Sequence, residues 1–147
     1  MISNNRQLFI LILAIPVLTI CGAYAIWAQS ETSDRQGADL QVKLAKASMC
    51  EQVKDYEPFN PAIAFPISLG KVACYTLFDP VPKKTTIYHS WFRRDVLSTT
   101  IRLELKPPRW GAFSEIQLRE SDKGPWRVEI KDENGKLFKV LRFSITE

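Results

Sequence analysis

An all-β outer domain behind a single hydrophobic helix is the organisation this sequence predicts, and three observations carry the prediction. Apolar and polar residues alternate with a period of two through most of the chain after residue 43, as in Leu97, Thr99, Ile101, Leu103 and Leu105 against Ser98, Thr100, Arg102, Glu104 and Lys106. That spacing lines one face of a pleated strand with apolar groups and leaves the other wet. Turn-forming residues interrupt the alternation at short intervals, and one uncharged run, residues 8–28, stands apart near the N-terminus.

The uncharged run reads LFILILAIPVLTICGAYAIWA. About 20 apolar residues are what a helix needs to cross the hydrocarbon layer. Arg6 precedes the run, and Glu31 and Asp34 follow it, which predicts a cytoplasmic amino terminus and an outward-facing remainder. Residues 1–28 are then either a signal peptide or a membrane-anchor helix. Ala23-Tyr24-Ala25 and Ile26-Trp27-Ala28 have the small-x-small form of a cleavage site, whereas the length of the run and Trp27 at its outer edge suit a retained anchor. Lipidation at Cys21 fits less well, because Ile20 stands where that signal takes a small residue. On either main reading the rest of the chain is extracytoplasmic, in the periplasm or at the cell surface. Residues 29–42 are polar and aperiodic, a flexible linker of about 20 Å root-mean-square span. The folded domain is expected over 43–147.

Within that domain the alternation predicts strands near residues 44–53, 69–78, 84–93, 96–105, 110–119, 125–132 and 136–146. Arg94-Asp95, Pro107-Pro108, the stretch from Ser121 to Pro125 and Asn134-Gly135 separate them, and Asn-Gly is a strong two-residue hairpin signal. Pro58, Pro61 and Pro66 mark an irregular loop after the first strand. A helical stripe of Leu40, Leu44, Ala47 and Glu51 competes with that strand over residues 39–56. Seven short strands at this spacing give an immunoglobulin-like antiparallel β-sandwich. Trp91, Leu103, Trp126, Val128 and Phe143 fall on its inward positions and are expected in the core.

Charge and cysteine usage narrow the partners. A formal net charge of +4 is mild, and nucleic-acid binding would show a denser basic stripe, so no nucleic-acid partner is expected. No cofactor motif is present. Two outer-domain cysteines 24 positions apart and one histidine fall short of a closed zinc set, and Asp132, Asn134 and Gly135 echo only fragments of a calcium loop. Cys50 and Cys74 are the two cysteines of the outer domain, and an oxidising compartment predicts a disulfide between them. Closing a loop of about 25 residues would stabilise the fold by about 3 to 4 kcal/mol in the chain-entropy model.

The most distinctive local cluster runs from Tyr88 to Arg94, YHSWFRR. One reading makes Trp91 the core tryptophan of the sandwich and His89 its neighbour. The other makes Tyr88, Phe92, Arg93 and Arg94 a binding edge on the outward side and tip of one hairpin, where guanidinium groups beside aromatic rings suit planar or anionic partner groups. His89 is the sole histidine, so any catalytic base of that type is this residue. Ser90 or Ser114 with Asp79 or Asp95 would have to complete the set, and no activating G-x-S-x-G frame surrounds either serine. No catalytic residue is assigned on this basis.

Cys50, Glu57-Pro58, Cys74, His89-Ser90-Trp91, Trp110 with Ser114, Gly124-Pro125-Trp126-Arg127-Val128, and Asp132 with Gly135 together make the chain resemble the DUF2914 family over about residues 45–146. Val96 departs from the turn glycine expected after Asp95, and Gly111 stands where an arginine is usual after Trp110. The resemblance implies an uncharacterised bacterial domain, exported or envelope-associated, and brings no activity, cofactor or catalytic residue. The expectation is a non-enzymatic module at the cell envelope that binds an envelope protein or glycan, with the membrane as a further partner through residues 8–28 if they are uncleaved. A hydrolase or transferase built around His89, and an accessory structural subunit of a membrane complex, are the alternatives. Burial of the His89 ring discriminates the enzyme from the binding module.

Overall fold

The computed structural model describes residues 41–147. The predicted hydrophobic segment at 8–28 and most of the linker lie outside the described residues. Among the described residues no helix is long and apolar enough to cross a membrane. Nine strands follow one another: β1 (Leu44–Lys54), β2 (Glu57–Pro61), β3 (Ala64–Pro66), β4 (Lys71–Phe78), β5 (Thr85–Arg93), β6 (Val96–Leu105), β7 (Trp110–Gln117), β8 (Gly124–Asp132) and β9 (Leu137–Thr146). One sheet has the order β2-β1-β4-β7 and the other β3-β9-β8-β5-β6. Every pairing is antiparallel except that of β3 with β9. The result is an all-β, sandwich-like domain.

Each of the seven expected strands is present, because turn residues and alternation mark them independently. β1 resolves the competition with a helix: its residues from Leu44 to Cys50 ladder onto β4. The proline-rich loop contains two more strands, both short and both at sheet edges, where a missing N–H leaves no ladder bond unmade. Between the sheets lie Met49, Val72, Cys74, Phe78, Ile87, Trp91, Val128, Ile130 and Phe143. Phe143 meets Trp91 edge-on at 6.0 Å and stacks on Trp126 at 6.2 Å. Of the expected core residues, Trp91, Trp126, Val128 and Phe143 are buried; Leu103 is only partly so, because β6 is an edge strand.

The expected disulfide does not form. Cys50 and Cys74 are both free and both buried. The register explains it: Cys50 pairs with Ala73, whereas Cys74 pairs with Met49. The two cysteines are therefore one position out of step, and successive side chains on a strand point to opposite faces. Cys74 faces the main core, while Cys50 joins Ala73 and Tyr75 in a separate cluster and donates its thiol to the Ala73 carbonyl at 3.7 Å. Burial pushes the Cys50 thiol up to about 11 and raises Cys74 further, so both remain protonated and unreactive.

The β5–β6 hairpin is locally distinctive. Arg94 and Asp95 form its turn with φ of 46° and 66°, the left-handed pair that a two-residue hairpin turn of type I′ requires. Glycine usually supplies such angles. Here the Arg94 N–H donates to the Pro125 carbonyl at 3.0 Å, so neighbouring backbone holds the turn. The pairing then slips: Trp91 faces Thr99, but Phe92 faces Leu97, leaving Ser98 as a bulge. An extra residue reverses the alternation beyond it. Leu97, which the alternation places with the inward row, is consequently turned out with Phe92 and is 55% exposed.

Candidate functional site

His89 and Ser114 invite comparison with a nucleophile and its base, since the Ser114 Oγ lies 2.8 Å from His89 Nδ1. The surroundings remove that role. His89 is fully buried and Ser114 nearly so, and both nitrogens of the ring are occupied. The donors close in one direction. Trp91 Nε1–H donates to Ser114 Oγ at 3.2 Å, and Thr76 donates its hydroxyl to the Ala112 carbonyl at 3.0 Å. Thr76 Oγ1 must then accept from His89 Nε2–H across 3.3 Å, which leaves Nδ1 to accept the Ser114 hydroxyl. The chain Trp91, Ser114, His89, Thr76, Ala112 satisfies each of these polar groups with a neutral imidazole. Burial pulls the His89 pKa down from 6.5 to about 4, in keeping with that state. Because Thr76 and Ser114 belong to one sheet and His89 and Trp91 to the other, the network ties the two sheets together.

The proposed edge residues are not all brought together. Tyr88 and Phe92 share the outer face of their sheet, but they stand four positions apart, about 13 Å along a strand. Tyr88 lies between Arg102 and Lys131, away from the tip. Arg94 sits exposed at the turn, its Nη2 donating to the Lys123 carbonyl at 3.4 Å. Arg93 departs from the expected outward side: it pairs in register with Trp126, whose side chain is in the core. Its guanidinium lies 3.7 Å from Asp122, and its Nε is buried without a partner.

Three residues missed in the sequence complete the tip. Val96 and Leu97 are 70% and 55% exposed. Arg127 lies over the Phe92 ring at 4.0 Å and pairs with Asp95 and Glu129. Leu97 is thus contiguous with a ring and a guanidinium on the outer face, while Val96, opposite Arg93, is exposed on the other face of the same braced turn. Position 92 in a period-two pattern signals its outward aromatic; no sequence signal announces the bulge that turns Leu97 out beside it. Among the described residues no group of three or more His, Cys, Asp or Glu side chains is arranged to hold a metal ion.

No curated protein matches the chain. Residues 84–145 match the family described as Protein of unknown function (DUF2914). The match runs from the start of β5 nearly to the end of β9, so it contains His89, Trp91, Ser114 and the whole hairpin, and it starts later than the resemblance over 45–146 implies. Over these residues the chain is similar to the DUF2914 family.

Proposed function

We propose that this domain is a non-enzymatic, extracytoplasmic interaction module of the bacterial cell envelope, of immunoglobulin-like topology, that binds an envelope protein through the tip of its β5–β6 hairpin. The observation that carries the reading is the exposure of Leu97 beside Phe92 and Arg127, with Val96 exposed on the other side of the same turn. Aromatic rings, guanidinium groups and desolvated aliphatics are what dominate protein interfaces. Strand order supports the topology: β1-β4-β7 in one sheet against β5-β8-β9 in the other follows the A-B-E and C-F-G division of such a sandwich, with β6 carried beside β5 and with β2 and β3 as additions at the edges. The enclosed, neutral imidazole of His89 speaks against an enzyme built on it, since a base must reach a substrate proton. The export half of the proposal rests on residues 8–28.

Position favours the tip as well. Gln41 shares a cleft with Asp132 and Asn134 at one end of β8, whereas Arg94 meets Lys123 and Pro125 at the other. Those ends are about 26 Å apart.

The test is quantitative affinity capture of envelope proteins by the intact chain and by a Val96→Ser/Leu97→Ser double variant. Loss of a partner that wild type retains, with an unchanged melting temperature, is the expected result. Equal capture by both proteins would refute the assignment of the tip.

A further inference from the structure

A cleft of about 380 Å³ opens between the facing edges of β6 and β7, at the same end of the sandwich as the hairpin. The bulge shapes one wall, setting Ser98 and Thr99 next to each other on it. Gln117 contributes from β7, Arg119 and Asp122 from the following turn, and Trp126 closes the bottom. On the outer face of the neighbouring sheet the charged groups pair with one another, as in Arg127 and Lys131 with Glu129. The cleft is different. Within the described residues the side chains of Ser98, Thr99, Gln117 and Arg119 make no hydrogen bond and no ion pair. Asp122 is balanced by Arg93 at 3.7 Å, which leaves the Arg119 guanidinium as the free charge on the rim.

We propose that this cleft binds an acidic monosaccharide unit, with Arg119 on its carboxylate and Ser98, Thr99 and Gln117 on its hydroxyls. Unpaired donors and acceptors alternating above an apolar floor suit a polyhydroxylated ring, and a concave site with a few convergent polar groups is the usual form of a small-ligand pocket. A peptide carboxylate would instead call for a run of converging backbone N–H groups. The site is separate from the hairpin tip and stands or falls apart from it.

The test is a titration of the ¹⁵N-labelled intact chain with D-glucuronic acid, followed by amide shifts. Saturable shifts at Ser98, Thr99 and Gln117, none of them produced by D-glucose, and a Kd about tenfold weaker in Arg119→Gln are expected, since a charge-assisted hydrogen bond is lost. Absence of saturable shifts in the wild-type chain, equal binding of glucose, or an unchanged Kd in Arg119→Gln would each overturn the proposal. Tighter binding of acetyl-alanyl-alanine as its free acid would overturn it too, by making the site one for a peptide carboxylate.

Discussion

Along β5 and the turn that follows it, His89 and Trp91 lie only a few residues from Phe92 and Arg94, and the two groups have opposite fates. The first group is enclosed, and its polar atoms hand hydrogen bonds to one another across the sandwich until none is left over. The second stands at a braced turn with aliphatic surface beside it. Histidine, serine and tryptophan in one short stretch resemble a reactive site, yet His89 and Trp91 bond across to Thr76 and Ser114 of the facing sheet, while Ser90 bonds Thr100 in its own. The binding candidates are the residues with contacts still to make.

The sharpest way to break this contrast is to remove the largest member of the closed group. Trp91→Ala deletes a fully buried ring and an indole donor, and should cost about 3 to 5 kcal/mol of stability in denaturant unfolding. A loss under about 1 kcal/mol would mean that the ring does not anchor the core.

Acid should act on the same network with the next largest effect. The folded-state pKa of His89 lies below its ordinary value, so the unfolded chain takes up a proton first as pH falls. The neutral-histidine contribution is complete above about pH 6.5, declines through the interval, and is lost by about pH 4, for a total of about 3 kcal/mol. Unfolding free energies between pH 7 and 4 should therefore fall, and His89→Asn should remove that part of the slope. An identical slope in the variant would assign the acid sensitivity to carboxylates instead.

Much of this architecture can be read from the chain, for identifiable reasons. β5, β6, β8 and β9 were legible because each alternates cleanly between turns rich in Gly, Pro, Asp or Asn. β2 and β3 were not, since short strands built around Pro58, Pro61 and Pro66 carry no periodic signal. The disulfide failed on register: compartment and count can pair two cysteines, but one step along β1 decides which face Cys50 occupies. The same step accounts for the site. Phe92 and Arg94 were found by alternation and turn position. Alternation alone puts Leu97 inward, because the bulge at Ser98 depends on how β6 pairs with β5, and proximity to the turn alone puts Arg93 outward, because its register with Trp126 is set by β8.

The contrast itself is tested most directly by equilibrium urea unfolding of Ser114→Ala beside Leu97→Ser. Removing the Ser114 hydroxyl strands His89 Nδ1 and the Trp91 indole N–H in the core, which should cost about 1 to 3 kcal/mol. Leu97→Ser changes a side chain already facing water and should stay within about 0.5 kcal/mol of wild type. The reverse order, a neutral Ser114→Ala and a destabilising Leu97→Ser, would contradict the division of β5 into a closed interior and an open tip.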